Sequence, residues 1–178
     1  MTRLFVALRP PAPIRDALLM TIGGVEGARW QDDGQLHLTL RFVGEIDPPQ
    51  AEDLAAELGR IEAPRFELKI AGVGHFEKKD RLHALWAAVV PSPPLDVLQQ
   101  KVERACQRIG LEPEHRKFTP HLTLARLGGR SGAVGEWLAA NGALSAGPWP
   151  IDEFRLYESQ LTPAGPLYEP IISYRLRP

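Results

Sequence analysis

The chain has 178 residues, 44% of them hydrophobic and 24% charged, which is enough for one domain with a real core and excludes a disordered segment. Its 21 Lys and Arg against 22 Asp and Glu leave a formal net charge of −1. That near balance excludes the broad basic field of a duplex-coating protein, so any phosphate binding must be local. The single cysteine, Cys106, excludes an internal disulfide and lacks the paired spacing of a zinc site. The apolar run near Met1 is too short for a signal peptide or a membrane span, so a cytoplasmic protein with no membrane partner is expected.

In chain order, Thr2 to Leu8 is rich in Leu, Phe and Val and reads as a strand closed by Pro10 and Pro11. Ile14, Ala17, Leu18 and Ile22 keep helical spacing up to Gly23-Gly24. Leu36, Leu38, Leu40 and Phe42 alternate with His37, Thr39, Arg41 and Val43, the period of a strand with one apolar face. Asp47-Pro48-Pro49 opens a helix carrying Ala51, Leu54, Ala55 and Leu58. Phe66, Leu68 and Ile70 form a strand, Gly72 to Asp80 a loop, and Leu82 to Val90 a further strand. Ser92 opens the clearest helix, with Leu95, Leu98, Val102, Ala105 and Ile109 recurring until Gly110. A strand over Phe118 to Leu127, a short helix over Val134 to Asn141, a strand over Ile151 to Tyr157, a turn at Thr162 to Pro166 and a strand over Ile171 to Leu176 complete the chain. The 17 prolines sit mostly at element edges, and no internal boundary divides residues 1–178. This order predicts an α+β layered fold with largely antiparallel sheets, and no glycine-rich loop supports a doubly wound nucleotide fold.

One word recurs: His37-Leu38-Thr39-Leu40 returns as His121-Leu122-Thr123-Leu124, nearly half the chain away. Period two puts each histidine and its threonine on one face while the leucines point into a core. If the halves are related by an approximate two-fold axis, two imidazoles and two hydroxyls converge on one point. Imidazole titrates near neutrality, so one ring can take a proton from water while the other gives one to a leaving oxygen. The threonine hydroxyls can donate to phosphate oxygens as charge builds on phosphorus. This scheme for phosphodiester cleavage needs no metal and no cofactor.

These residues give the sequence its likeness to a known group. It resembles the 2H phosphoesterase superfamily, and within it the bacterial and archaeal RNA 2′,3′-cyclic phosphodiesterases, also described as 2′-5′ RNA ligase-like proteins. The carriers are Arg3-Leu4-Phe5-Val6-Ala7, the stretch from Leu36 to Glu45, Pro120 to Arg126, and Leu156-Tyr157-Glu158-Ser159 followed by Gly165 and Tyr168. The resemblance implies a bilobed, pseudo-two-fold fold whose two antiparallel sheets form a central cleft flanked by helices. It implies hydrolysis of RNA 2′,3′-cyclic phosphate ends to 2′-phosphomonoesters, and joining of tRNA half-molecules through a 2′-5′ linkage in the reverse sense. The partners it implies are RNA 3′ ends or short oligonucleotides with a cyclic phosphate; separately, a monomer is expected. Carried over by motif position, the resemblance implies that His37 is the proton donor to the departing 3′ oxygen and His121 the proton acceptor that activates water.

Thr39 and Thr123 are expected to bind the phosphate because they share the histidine face. Arg126 stands where the family commonly carries a basic residue, although strict alternation turns it away unless a bulge intervenes. Arg41 lies on the His37 face by alternation and is the further phosphate-binding candidate. His83 could edge the cleft, His115 and Lys117 before the second motif could touch RNA, and in the turn region of His75 and Phe76 an aromatic could stack on a base, while Trp86 and Trp137 read as core and Trp30 and Trp149 are ambiguous. The competing reading, from a different class, is a non-catalytic binder of phosphorylated RNA termini in the same groove.

Overall fold

A computed structural model of the chain describes residues 1–79 and 81–178. The first half runs β1 (Thr2–Leu8), α1 (Ala12–Leu19), β2 (Arg29–Trp30), a 3₁₀ turn (Asp33–Gln35), β3 (Leu38–Ile46), α2 (Pro48–Gly59) and β4 (Phe66–Lys78). The second half runs β5 (Arg81–Val89), α3 (Pro93–Arg108), β6 (His121–Arg126), α4 (Gly135–Asn141), β7 (Ser145–Ile151), β8 (Glu153–Thr162) and β9 (Gly165–Arg175). Among the described residues the strands form one sheet in the order β7-β4-β5-β6-β3-β1-β8-β9, with β2 added beside β6. Every pairing within it is antiparallel.

The α+β expectation therefore holds, and the expected pair of sheets is two four-stranded halves of one curled sheet. They meet at a single residue pair, Leu38 opposite Leu122. Those are the leucines that directly follow His37 and His121. Beyond that crossing β3 and β6 diverge, and β2 fills the gap by pairing Arg29 with Arg126 and Trp30 with Ala125.

Helix starts follow the sequence signals. The Asp47 carboxylate accepts from the Gln50 amide at 2.8 Å, and the Ser92 hydroxyl from the Leu95 amide at 3.3 Å. Helices α2 and α3 pack on each other and back the β3 half, while α4 backs β4. Leu95, Leu98, Val102, Ala105 and Cys106 of α3 are fully buried in the main core together with Leu38, Leu40, Leu122 and Leu124. The side of the sheet opposite the helices carries a small separate cluster of Phe5, Ala7 and Tyr157 with Tyr168 packed on it.

Three expectations change. Gly72 to Lys78 continues β4 as a hairpin with β5, where a loop was read; Asp80, the last residue of that reading, lies outside the described residues. Strand β7 carries Pro148 and Pro150 and reads as no strand at all, yet it lies at one edge of the sheet, where a missing amide costs no ladder bond. The opposite edge, β9, likewise carries Pro166 and Pro170.

The third change concerns faces. β3 and β6 each contain a bulge at the leucine after the motif threonine. Ala7 pairs with Thr39 and Val6 with Arg41, leaving Leu40 extra; Trp86 pairs with Thr123 and Leu85 with Ala125, leaving Leu124 extra. An extra residue shifts the alternation by one. Arg41 and Ala125 thereby turn to the helix side, and Phe42 and Arg126 turn to the other.

Candidate active site

At the crossing of the two halves, the Leu38–Leu122 register extended by one residue each way sets His37 opposite Thr123 and His121 opposite Thr39. Cross-strand neighbours on one face of an antiparallel pair stand about 5 Å apart, so this register alone groups four polar side chains. All four line one cavity of about 160 Å³, together with Gln31, Gln35, Phe76, His83, Ala84 and Arg126.

Each imidazole is aimed by its own backbone. His37 Nδ1 lies 2.7 Å from the Gln35 carbonyl, and His121 Nδ1 lies 2.7 Å from the Thr119 carbonyl, two residues upstream in both copies. A carbonyl can only accept, so Nδ1 carries the hydrogen and donates, which leaves Nε2 as the reactive nitrogen. The turn that presents His37 is fixed on all sides. Asp32 and Gln35 form a reciprocal capping box, Arg9 Nη1 donates to the carbonyls of Asp33 and Leu36 at 2.6 and 2.7 Å, and Gln35 Nε2 reaches the Pro166 carbonyl at 3.0 Å.

The reactive nitrogens differ. His37 Nε2 is 2.9 Å from Thr39 Oγ1, so the neutral ring accepts from the threonine hydroxyl. His121 Nε2 has no hydrogen-bond partner among the described residues. His37 packs against Phe5 and Tyr168, with ring centroids 4.9 and 5.1 Å away; His121 meets the edge of Phe76 at 4.8 Å and Trp86 at 6.0 Å. Burial is the main force that pushes His37 down to about 4, against the pull of the Gln35 carbonyl and with help from Arg126, Arg9 and His121. His121 is lowered too, first by burial and then by Arg126, with the Thr119 carbonyl opposing. Both rings are more readily neutral than a free imidazole, and His37 the more so.

The structure brings together His37, Thr39, His121, Thr123 and Arg126, the last through the β6 bulge. It does not bring Arg41. Only 8% exposed, Arg41 bonds through Nε to the Glu103 carboxylate of α3, through Nη1 to the Phe42 carbonyl at 2.6 Å and through Nη2 to the Glu112 carbonyl at 2.5 Å. Its phosphate-binding assignment is therefore corrected: the Leu40 bulge sends it to the core side, where it ties β3 to α3. The position equivalent to Arg126 is Phe42, 43% exposed beneath the Arg3 guanidinium.

His83 joins the cavity to a neighbouring basic groove of about 470 Å³ lined by Lys78, Lys79 and Arg81. His75 turns away to the Glu77 carboxylate at 3.2 Å. Trp137 is core, as read, but Trp86 lies flat on Gly74 at the flank of His121; a Cβ on Gly74 would fall 2.4 Å from two of its ring carbons. Gln31 and Gln35 were invisible in the sequence because neither belongs to a repeated or periodic pattern. Among the described residues no group of three or more His, Cys, Asp or Glu side chains could hold a metal ion. No described helix is long and apolar enough to cross a membrane.

A cleft built on a duplicated His-x-Thr strand pair, with a guanidinium at its rim, is a site of the phosphoesterase type. Comparison with known proteins agrees. The family described as LigT-like phosphoesterase matches residues 8–86 and 89–168, so the chain belongs to the LigT-like phosphoesterases of the 2H superfamily. An RNA 2′,3′-cyclic phosphodiesterase of Aeropyrum pernix is 34% identical over 161 residues, covering 89% of this chain and 90% of that protein. One of Archaeoglobus fulgidus is 28% identical over 170 residues, covering 94% and 96%. The crystal structure of E. coli LigT complexed with 3′-AMP superposes with a TM-score of 0.80 at 26% identity, covering 99% of each chain.

Proposed function

We propose that this chain is an RNA 2′,3′-cyclic phosphodiesterase that opens the cyclic end by proton transfer between its two histidines. The observation that carries the reading is the shared cavity: both histidines, both threonines and Arg126 line one space of about 160 Å³. Relatives similar along most of their length bear that activity in their names, which supports the substrate class.

In the proposed step, water attacks phosphorus as its proton passes to His121 Nε2. The bond from phosphorus to the 3′ oxygen breaks, and that oxygen takes the proton from His37. The product is a 2′-phosphomonoester, and the two rings return to their starting states by exchange with solvent. Burial leaves His37 neutral in the empty cavity, so its donor role depends on the substrate. A phosphate anion placed between the rings favours the protonated imidazole and offsets the repulsion from Arg126 and Arg9. Thr123 and Arg126 donate to the non-bridging oxygens, where charge increases in the transition state. When an RNA 5′-hydroxyl replaces the water, the same transfers form a 2′-5′ linkage, the ligation expected of tRNA halves.

The test is hydrolysis of a nucleoside 2′,3′-cyclic phosphate in the presence of chelator. The expected product is the 2′-phosphate, and turnover should collapse in both His37→Ala and His121→Ala. Undiminished turnover in both variants overturns the mechanism; a 3′-phosphate product overturns the donor assignment; firm binding with no turnover returns the cleft to a non-catalytic binder of RNA termini.

A further inference from the structure

Three polar side chains are buried among the described residues: Thr21, Gln31 and Arg41. Two are accounted for. Thr21 Oγ1 donates to the Leu18 carbonyl at 2.7 Å, and Arg41 bonds Glu103 and two carbonyls. Gln31, 7% exposed, has no side-chain hydrogen bond to any described residue, and it lines the cavity that holds the two histidines.

Its place in the fold is well determined. The Gln31 amide nitrogen of the backbone donates to the Leu124 carbonyl at 2.8 Å, at the bulge that follows Thr123. The adjacent Trp30 packs on Trp137 and anchors the segment in the gap where β3 leaves β6. Gln31 thus forms part of the wall on the His121 side, next to Thr123 and Arg126. Gln35, on the same cavity, makes the contrast. Its carboxamide is spent on structure, accepting from the Asp32 amide and donating to the Pro166 carbonyl, both at 3.0 Å.

The unpartnered polar atoms sealed in the packing among the described residues are the indole nitrogens of Trp86 and Trp149; the Gln31 carboxamide instead opens onto the cavity, bonded to no other side chain and available to whatever binds there. It offers two N–H donors, and the cavity's other lining groups include a guanidinium, hydroxyls and imidazoles, the surroundings of an oxyanion. Resting on the proposed phosphodiesterase reading, we propose that Gln31 is a further catalytic residue, donating from Nε2 to a non-bridging oxygen of the cyclic phosphate beside Thr123 and Arg126.

The experiment uses the full chain, with 2′,3′-cyclic AMP as substrate, inorganic phosphate as competing ligand, and thermal melts as the control on folding. Gln31→Leu removes donor and acceptor at similar volume; Gln31→Glu keeps the shape and places a carboxylate oxygen where the donor was. Gln31→Leu should lower kcat/KM and weaken phosphate binding by about 10- to 100-fold, the worth of a hydrogen bond to a charged group. Gln31→Glu should lose more, and the melting temperature of Gln31→Leu should stay level or rise. Wild-type kcat/KM and phosphate affinity in Gln31→Leu overturn the proposal. So does a fall in kcat with phosphate affinity unchanged, which would move the amide's partner from the phosphate to another group. If the wild-type chain binds phosphate but hydrolyses nothing, the enzyme reading fails and phosphate affinity alone decides for or against Gln31.

Discussion

The two halves of the sheet carry the same four letters, the same carbonyl two residues upstream of each histidine and the same bulge at the leucine that follows the threonine. They differ in what surrounds the ring. His37 is packed by Phe5 and Tyr168, tied at Nε2 to Thr39 and driven down to about 4; His121 is less confined and open at Nε2. At the position past the bulge, one half presents Arg126 and the other Phe42. Duplication supplies two imidazoles in mirrored positions, and the unduplicated surroundings give them unequal proton affinities. Pairs of titratable groups held apart in this way are what divided acid and base roles require.

The comparison breaks most visibly at the histidines. His37→Ala and His121→Ala should each lower kcat for cyclic phosphate by roughly 10²- to 10⁴-fold, and steady-state kinetics at saturating substrate would show it. Loss in only one variant would mean that a single half does the chemistry.

The two arginines should then separate cleanly. Arg41→Ala takes the guanidinium from the partly buried Glu103 carboxylate, which keeps its bonds from Gln107 and the Glu114 amide, and from the Phe42 and Glu112 carbonyls; it should cost about 1–3 kcal/mol in urea unfolding, while folded molecules keep their kcat. Arg126→Ala should leave unfolding unchanged and weaken phosphate inhibition by about 10- to 100-fold. Equal effects on stability from both would refute the division of faces by the bulges.

Acid should sharpen the contrast between the rings. The unfolded chain protonates His37 near 6.5, whereas the folded chain resists until about 4, so stability is full above 6.5 and is lost as pH falls through that window. The loss attributable to His37 is on the order of 3 kcal/mol, and urea titrations from pH 7 to pH 4 should show it reduced in His37→Gln. Followed by NMR with added phosphate, both imidazoles should titrate higher than in the empty site.

The smallest effect is expected on the His121 side. Gly74→Ala would displace Trp86, whose ring occupies the space of the missing side chain, and should destabilise the protein by about 1–3 kcal/mol with a few-fold change in kcat. Unchanged tryptophan fluorescence in that variant would show that Trp86 does not rest on Gly74.

Much of this molecule was legible in its letters. The alternation at Leu36 to Leu40 and the stripe from Leu95 to Ile109 fixed faces because burial is periodic, and the repeated word located both histidines and both threonines. Arg41 and Phe42 were misjudged because one extra residue reverses every face beyond it, and a leucine at a bulge looks like any other strand leucine. Arg126 shows the other outcome of the same device, reaching the cavity against the period. Strand β7 was hidden by its prolines, and β2 is only two residues long, so neither carries a pattern. Gln31 was out of reach for another reason: its meaning lies in a carboxamide that faces the cavity and bonds no other described side chain, which only three-dimensional packing reveals.

The prolines of β7 and β9 have an effect beyond tolerating an irregular outline. A curled sheet that never closes on itself offers two rims of unused backbone groups, an invitation for other chains to extend it indefinitely. Pro148 and Pro150 on one rim, and Pro166 and Pro170 on the other, withhold the amides that a continuous ladder would need. The same residues that obscure these strands in the sequence thus guard the molecule against fibre growth.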